Sequence, residues 1–192
     1  MRARDNPFRT ERIHRIRYEP QGISWVELWD RIVAMSFRGA LVGPEGSGKT
    51  TLLEDLSPRL IAAGFGTRSL RLNWENPRFS SDQIDQLLAA DLSNDVILFD
   101  GAEQLGRLAW RRFVANTLRA RGLIITSHGP GLLPTILDCH TSPALFQTIV
   151  SRLLEENESI APDEVRDLWQ KHHGNIREAL RELYDRYSLV PL

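Results

Sequence analysis

The sequence predicts an α/β fold in which a parallel sheet is covered by helices on both faces. Short apolar runs that are typical of strands alternate with segments of helical periodicity. The strand segments are apolar along most of their length, as expected of strands that are buried on both sides. A glycine-rich loop, Gly43–Thr50, joins the first of these strands to the helix that follows it. The 192 residues are enough for one domain with a sizeable core and a small appendage.

Each element is predicted from a local pattern. Ser24 and Glu27 form a capping box that begins a helix ahead of the first strand, and Ser80 with Gln83 begins another. Pro58 lies inside the helix predicted for residues 50–60, where we expect a kink or a restart. The predicted strands are 37–42, 67–73, 95–100, 123–127 and 134–139, a long helix covers 104–121, residues 144–188 are helical, and residues 1–20 form an arm over the domain surface.

The loop Gly43–Thr50 has the pattern of a phosphate-binding loop, in which two glycines are separated by four residues and followed directly by lysine and threonine. Backbone N–H groups in such a loop point inward at a helix N-terminus, where the helix dipole also attracts a polyphosphate. We therefore predict that phosphate groups bind Gly43, Pro44, Glu45, Gly46, Ser47, Gly48, Lys49, Thr50 and Thr51.

The lysine of this loop is unusual for the chain. Only Lys49 and Lys171 are lysines among the 24 basic residues, so arginine is used almost everywhere else. A lysine ammonium is a compact charge that can reach between β- and γ-phosphates, which a wide planar guanidinium does poorly. The residue type at position 49 thus supports a phosphate-binding role.

Asp100 ends the third predicted strand. The carboxyl ends of parallel strands meet at one edge of a sheet, so Asp100 is expected beside the phosphate loop. There it would bind Mg²⁺ through water while the Thr50 hydroxyl ligates the ion directly. An Asp followed by Gly is also an ordinary turn sequence, so the metal role depends on the combination with the loop.

Composition excludes several classes of protein. Net charge is -1 and 26% of residues are charged, without the global basicity of a dedicated nucleic-acid binder. A single cysteine, Cys139, forms no internal disulfide and favours a reducing cytoplasm. No apolar run reaches membrane-spanning length and the N-terminus lacks a secretory signal, so we expect a cytoplasmic protein without membrane insertion.

Several features taken together resemble the AAA+ branch of P-loop ATPases. They are the phosphate loop, the apolar run into Asp100, the polar strand end at Thr126 and Ser127, and the helical segment Gly174–Ala179. The segment 6–8, Asn-Pro-Phe, is similar to one in small bacterial members of that group. The motifs occur in the expected order across most of the chain.

This resemblance implies a P-loop NTPase fold with a five-stranded RecA-like sheet, and ATP with Mg²⁺ as its ligands. It implies a nucleotide-binding domain at residues 1–140 and a small helical lid at 141–192. It also implies a polar sensor on the fourth strand, either Thr126 or Ser127, and a sensor arginine on the lid, Arg177. Arg177 lies in a first helical turn, where a cation opposes the helix dipole, so an anionic partner is expected.

The chain departs from the AAA+ pattern at position 101. Most members have a glutamate directly after the strand-terminal aspartate to orient the attacking water, and this chain has Gly101. Glu103 is the nearest carboxylate. Two interpretations stay open: Glu103 reaches the γ-phosphate from its loop, or it is an acid in the first turn of the next helix, where the dipole favours it.

Two further features have more than one interpretation. Arg107, Arg111, Arg112, Arg119 and Arg121 lie on one predicted helix without an acid among them. They form an arginine finger for a neighbouring subunit, a polyanion-binding face, or a solvated face. His128 follows the fourth strand and either contacts the γ-phosphate or is a surface residue.

Three functions agree with these observations. The first is an ATPase in which hydrolysis moves the lid or a partner, with Lys49, Asp100, Glu103, Thr126, Ser127 and Arg177 as its catalytic residues and Thr50 with Asp100 holding the metal. The second is a nucleotide-gated interaction module with little hydrolysis, which Gly101 favours. The third is a small P-loop kinase. A protein partner or self-association fits the first two, and the sequence leaves the involvement of nucleic acid open.

Overall fold

The computed structural model describes residues 6–88, 91–154 and 159–188. Within it the chain forms two compact units. The sheet unit comprises Glu19–Gly43 and Lys49–Cys139, and the helical unit comprises the N-terminal residues to Tyr18, Pro44–Gly48 and the chain from His140 onward. The described part contains no helix with the length and apolarity required to cross a bilayer.

The sheet unit contains five parallel strands flanked by helices, which confirms the predicted α/β class. The strands are β1 (Arg38–Val42), β2 (Gly66–Arg71), β3 (Asp95–Asp100), β4 (Gly122–Ser127) and β5 (Thr135–Asp138). Their order in space is β2-β3-β4-β1-β5. β1, the strand that precedes the phosphate loop, therefore lies between β4 and β5. β3 pairs with the edge of β4 that faces away from β1.

Helices α2 (Trp25–Ala34), α3 (Lys49–Ala62), α4 (Ser81–Leu88) and α5 (Arg107–Asn116) belong to the same unit. The predicted capping boxes at Ser24 and Ser80 are both present. The long helix predicted for residues 104–121 is instead α5 between two short 3₁₀ turns, Ala102–Gln104 and Thr117–Arg119. The buried core includes β-strand residues such as Ile97 and Ile125, which are not exposed at all.

Of the two outcomes expected at Pro58, a kink or a restart, the restart does not occur. Proline removes one helical hydrogen bond and costs about 3 kcal/mol in a helix interior, yet α3 runs without interruption from Lys49 to Ala62. Leu52 and Leu56 before the proline and Leu60 after it are all fully buried. Burial of leucines on both sides offsets the local cost and holds the two halves as one helix.

The helical unit contains the short helix α1 (Thr10–Ile13) with α6 (Pro143–Leu153), α7 (Pro162–Lys171) and α8 (Ile176–Ser188). Its core includes Phe8, Phe146 and Leu168. The Asn6 amide donates to the Tyr184 carbonyl oxygen at 2.8 Å, and the Phe8 ring packs edge-on against Tyr187. The N-terminal residues are thus an internal part of this unit.

The prediction of an arm on the surface is therefore wrong for residues 6–8, because the Asn6 and Phe8 side chains are both 1% exposed. The two compact units of the structure also differ from the two predicted domains, which were divided between residues 140 and 141. Residues 6–18 and the five loop residues Pro44–Gly48 lie with the C-terminal helices in the structure.

One polar cluster in the helical unit gives its stability a defined pH dependence. The Glu182 carboxylate accepts hydrogen bonds from Lys171, from Arg186 and from the His172 ring. These partners, with Lys171 foremost, lower the pKa of Glu182 from 4.5 to about 2. The carboxylate therefore stabilises the folded state fully above pH 4.5, and the effect is lost as pH falls from there towards about 2.

We expect Glu182→Gln to lower the free energy of unfolding at pH 7 by about 1 kcal/mol, because two of the partners are largely exposed and solvent screens their charges. The difference between variant and wild type should disappear towards pH 2. Urea unfolding between those pH values measures it, with the exposed Asp185→Asn on the same helix as a control. A difference that is constant with pH would contradict the assignment.

Candidate functional site

The carboxyl edge of the sheet brings Asp100 together with two threonines. The Thr50 hydroxyl lies 3.1 and 3.2 Å from the two carboxylate oxygens of Asp100. The Thr126 hydroxyl donates to Asp100 Oδ1 at 2.7 Å and accepts from the Gly101 backbone N–H at 2.9 Å. The pairing of β3 with β4 brings the strand-end residues Asp100 and Thr126 side by side. These contacts orient the carboxylate at the first turn of α3.

Of the two residues proposed as the polar sensor, only Thr126 contacts Asp100 among the described hydrogen bonds. The Ser127 hydroxyl donates to the Gly129 carbonyl oxygen at 2.7 Å, which closes the turn after β4. Both side chains are buried, at 2% and 1% exposure. Of the two hydroxyls, the one at the Asp100 carboxylate is therefore that of Thr126, and the Ser127 hydroxyl has a local structural role.

Arg71 is a member of this cluster that the sequence did not reveal. It ends β2 directly opposite Asp100 in the parallel register, and its Nε lies 3.3 Å from Asp100 Oδ2. The guanidinium is more than half exposed. One signal in the sequence could have indicated Arg71. It is the last residue of β2, and the neighbouring strand β3 ends in Asp100, but this pairing is recognised only when the strand order is known.

Gly101 has a conformation that excludes the glutamate common at this position in AAA+ proteins. Its φ is +86°, in the left-handed region where a side chain is strained. A Cβ atom built on it would lie 2.1 Å from the Leu72 carbonyl oxygen, which belongs to the backbone and cannot rotate away. The departure from the usual motif is thus required by the path of the chain.

Glu103 lies in the first turn of the next helical element, the 3₁₀ turn Ala102–Gln104, as the second of its two interpretations has it, and the first interpretation stays a prediction. α5 begins only at Arg107. The Glu103 carboxylate is partly exposed and lies 3.5 Å from His128 Nε2. These two side chains approach each other at the same edge of the sheet that carries Asp100 and Thr126.

Lys49 begins α3, and its side chain turns back towards the start of the loop. The ammonium donates to the Gly43 carbonyl oxygen at 2.7 Å, and the residue is only 8% exposed. Gly43 N–H in turn donates to the Ser127 carbonyl oxygen at the end of β4. The lysine is therefore held in a defined position. Thr51, the next residue but one, lies half-buried in the first turn of α3.

The residues between, Pro44–Gly48, belong to the helical unit, where two glycines accept close neighbours. Gly46 and Gly48 have φ values of +73° and +86°. A Cβ on Gly46 would lie 2.0 Å from Asn175 Oδ1, and one on Gly48 would lie 3.0 Å from the Tyr18 ring. Gly48, which belongs to the phosphate-loop pattern, and Gly46, which lies inside it, are thus needed for conformation and for space.

Asn175 has two functions in this unit. It caps α8 by accepting the Glu178 backbone N–H, at 3.2 Å. It also approaches Gly46, which the sequence did not indicate. Within the described residues the hydroxyl oxygen of neighbouring Ser47 is buried without a hydrogen-bond partner. A buried polar atom of this kind is expected to have a partner, which a bound phosphate group can provide.

Arg177, in the first turn of α8, has a carboxylate partner in the same unit. Its Nη1 lies 3.8 Å from Oε1 of Glu45, and both side chains are mostly exposed. An exposed pair at this distance contributes little to stability. The pair between Arg177 and Glu45 matters for its position, because it shows that the Arg177 guanidinium reaches a residue of the phosphate loop.

The donor set at the sheet edge fits a hard divalent cation. Hydroxyl and carboxylate oxygens are the ligands that Mg²⁺ prefers, and water commonly completes its shell. Among the residues described, no group of three or more His, Cys, Asp or Glu side chains has the arrangement of a metal site. An ion held by Thr50 and Asp100 would complete its shell with water or with substrate phosphates.

Comparison with models of known protein families gave no match, and comparison with curated proteins gave none either.

Proposed function

We propose that the protein binds ATP with Mg²⁺ and hydrolyses it, and that it couples the nucleotide state to movement of its C-terminal helices or of a partner. One observation carries this proposal: the threonine of a phosphate-loop sequence contacts the strand-terminal aspartate, at 3.1 Å. This contact joins two motifs that lie 50 residues apart in the chain. Each motif is weaker evidence when it is taken alone.

The roles of the loop residues follow from their chemistry. The glycines allow backbone N–H groups to approach phosphate oxygens, and Ser47 offers a hydroxyl that lacks a partner among the described residues. The Lys49 ammonium supplies a positive charge. On nucleotide binding it would give up its hydrogen bond to the Gly43 carbonyl oxygen and bind β- and γ-phosphate oxygens instead. Thr50 and Asp100 would hold Mg²⁺, which neutralises charge on the phosphates.

Asp100 is prepared for this role by its neighbours. Thr126 fixes one carboxylate oxygen, and Arg71 lies beside the other. Both contacts restrict the orientation of the carboxylate, whose oxygens are the kind of ligand that binds a hard cation or its water shell. The Thr126 hydroxyl also accepts the Gly101 backbone N–H, so β4 is hydrogen-bonded both to Asp100 and to the turn after β3 through one hydroxyl.

Coupling to the helices rests on Arg177. In the structure this guanidinium lies near the Glu45 carboxylate, and a γ-phosphate is a stronger anion that competes for the same cation. ATP would draw Arg177 away from Glu45, whereas ADP offers no terminal charge at that point. The difference provides two states that the nucleotide can select.

Arg177→Ala should therefore lower the affinity for ATP to near that for ADP. A charge-assisted hydrogen bond contributes about 1.5–3 kcal/mol, so the ATP-to-ADP preference should fall by roughly 10-fold or more. Calorimetric titration with both nucleotides measures this. Arg181→Ala removes an exposed arginine one turn further along α8 and should leave the preference unchanged. Equal preference in wild type and Arg177→Ala would exclude the role.

The proposed activity is tested by measuring phosphate release from ATP. Turnover should require Mg²⁺, disappear with a chelator and be absent in Lys49→Ala. The assay should be repeated with duplex DNA, since a partner often sets the rate of such a reaction. Release that is equal in wild type and Lys49→Ala would come from a contaminant, and the proposal would then fail.

A second function, the nucleotide-gated module with little hydrolysis, is favoured by the geometry of Gly101. The backbone there leaves no room for the glutamate that usually orients water. Under this alternative the protein binds ATP with Mg²⁺ and responds through Arg177, but phosphate release stays at background with every partner. Tight binding without turnover would therefore replace the first proposal with the second.

A further inference from the structure

The five arginines between residues 107 and 121 fall into two groups in the structure. Arg119 donates to the Leu87 carbonyl oxygen, and the Arg121 guanidinium lies 5.1 Å from the centre of the Phe37 ring. These two side chains therefore pack against their own unit. The other three, Arg107, Arg111 and Arg112 on α5, are exposed and have no ion pair or hydrogen bond in the described part of the chain. We call these three the α5 arginines.

Their arrangement is unfavourable for an isolated helix. Arg107 and Arg111 are four residues apart, a spacing at which like charges repel. Arg107 lies in the first turn, where a positive charge opposes the helix dipole. The sequence from Gln104 to Leu137 contains no acidic residue to compensate. The helix thus carries a local concentration of positive charge in a protein whose net charge is -1.

The aromatic residues of α5 both lie on the inner side of the helix. Trp110 stacks on Phe113 with ring centres 5.9 Å apart, and Phe113 contacts Phe79 and Phe99 of the same unit. Among the described residues of α5, no exposed aromatic side chain is left on the outer side. A single-stranded nucleic acid is usually bound by stacking its bases on such rings. The outer side of α5 offers charge alone, which suits phosphates that are presented on a duplex.

We propose that the α5 arginines bind the phosphate backbone of duplex DNA. The argument is charge complementarity: three unpaired guanidiniums within two helical turns, without an acid nearby in the sequence, match a ligand with regularly spaced anions. Arginine is well suited to this ligand because its planar donors match phosphate oxygens. Contacts of this kind position a protein on DNA without reading the base sequence. The proposal does not depend on nucleotide binding.

The test is fluorescence anisotropy with a labelled DNA duplex, without nucleotide, between about 50 and 200 mM salt. Three phosphate contacts contribute about 2.7 to the slope of log affinity against log salt concentration. The variant Arg107→Gln/Arg111→Gln/Arg112→Gln should lose that part of the slope and bind at least about 10-fold more weakly at the lowest salt. Thermal unfolding of the variant should occur at the wild-type temperature or above it, because the substitutions remove repulsion between Arg107 and Arg111.

The matched control removes three exposed arginines elsewhere: Arg15→Gln/Arg31→Gln/Arg181→Gln. It changes the net charge equally, so it should keep the affinity and the slope if the α5 arginines form the contact. An equal loss in both variants would show a general charge effect and overturn the proposal. Absence of duplex binding by wild type would also overturn it. So would tighter binding of polyglutamate than of DNA, which would indicate an acidic protein as the partner.

Discussion

Glu103→Gln is expected to bind ATP as tightly as wild type and to hydrolyse it about 100-fold more slowly, the usual scale for a positioned base. In-line attack on the γ-phosphate needs a water held opposite the leaving group, and positioning that water is much of what the protein contributes. Gly101 has no side chain for this task and no space for one. Glu103 is the next carboxylate in the chain, and its distance of 3.5 Å from His128 restricts its orientation.

Two other substitutions separate this role from general effects. Glu75→Gln removes an exposed acid from the same unit and should leave turnover unchanged. Asp100→Asn should weaken the dependence on Mg²⁺ and reduce turnover together, because it removes the charge that would hold the ion and places an amide against the Thr50 and Thr126 hydroxyls. Steady-state phosphate release across a range of Mg²⁺ concentrations distinguishes the two patterns.

If Glu103→Gln turns over as fast as wild type, the water is oriented by another group. Thr126, Ser127 and His128 would then be the residues to test. The hydroxyls of Thr126 and Ser127 already donate to Asp100 and to the Gly129 carbonyl oxygen, so either would have to exchange that hydrogen bond for the water. Nucleotide binding has to be measured in the same preparations. Loss of ATP affinity in Glu103→Gln would show that the residue contributes to binding rather than to water positioning.

Lys49→Ala should abolish most of the stabilisation that ATP gives to the protein. At 100 times its dissociation constant a ligand stabilises the folded state by about 2.7 kcal/mol, and the variant should lose most of this. The variant should also be less stable without nucleotide, because the ammonium donates to the Gly43 carbonyl oxygen in a buried position. Thermal unfolding with and without ATP and Mg²⁺ separates these two effects.

The other lysine of the chain provides the control. Lys171 pairs with Glu182 in the helical unit, so Lys171→Ala should lower the stability without nucleotide and leave the ATP-induced increase intact. Calorimetry should agree, with ATP affinity lost in Lys49→Ala and kept in Lys171→Ala. Equal ATP affinity in wild type and Lys49→Ala would remove the basis for the proposed site.

Local patterns predicted the elements of this fold well. The run ending at Asp100 became β3 with the predicted bounds, and the capping boxes at Ser24 and Ser80 begin helices as expected. These signals depend on neighbouring residues alone. Pro58 shows the limit of such signals, because the local preference of proline is outweighed by the burial of leucines that the sequence does not place in space.

The site residues also divide into those that a local pattern predicts and those that depend on the three-dimensional structure. The phosphate loop and Asp100 were visible as patterns, but the choice between Thr126 and Ser127 needed the direction of each hydroxyl. Arg71 became visible only with the strand order, which brings β2 beside β3. The close approach of Asn175 to Gly46 spans more than a hundred residues of chain, and no local rule anticipates it.

The burial of Asn6 and Phe8 also has a consequence for how the protein is made. The Asn6 amide donates to Tyr184 and Ser188, which are 178 and 182 residues further along the chain. At a translation rate of about 5–20 residues per second, roughly 10–35 seconds pass between synthesis of the two partners. During that time Phe8 has no packing partner from α8 and is available to chaperones. A nascent chain stalled before Tyr184 should therefore leave Phe8 without its edge-on contact to Tyr187, however far the sheet has already folded.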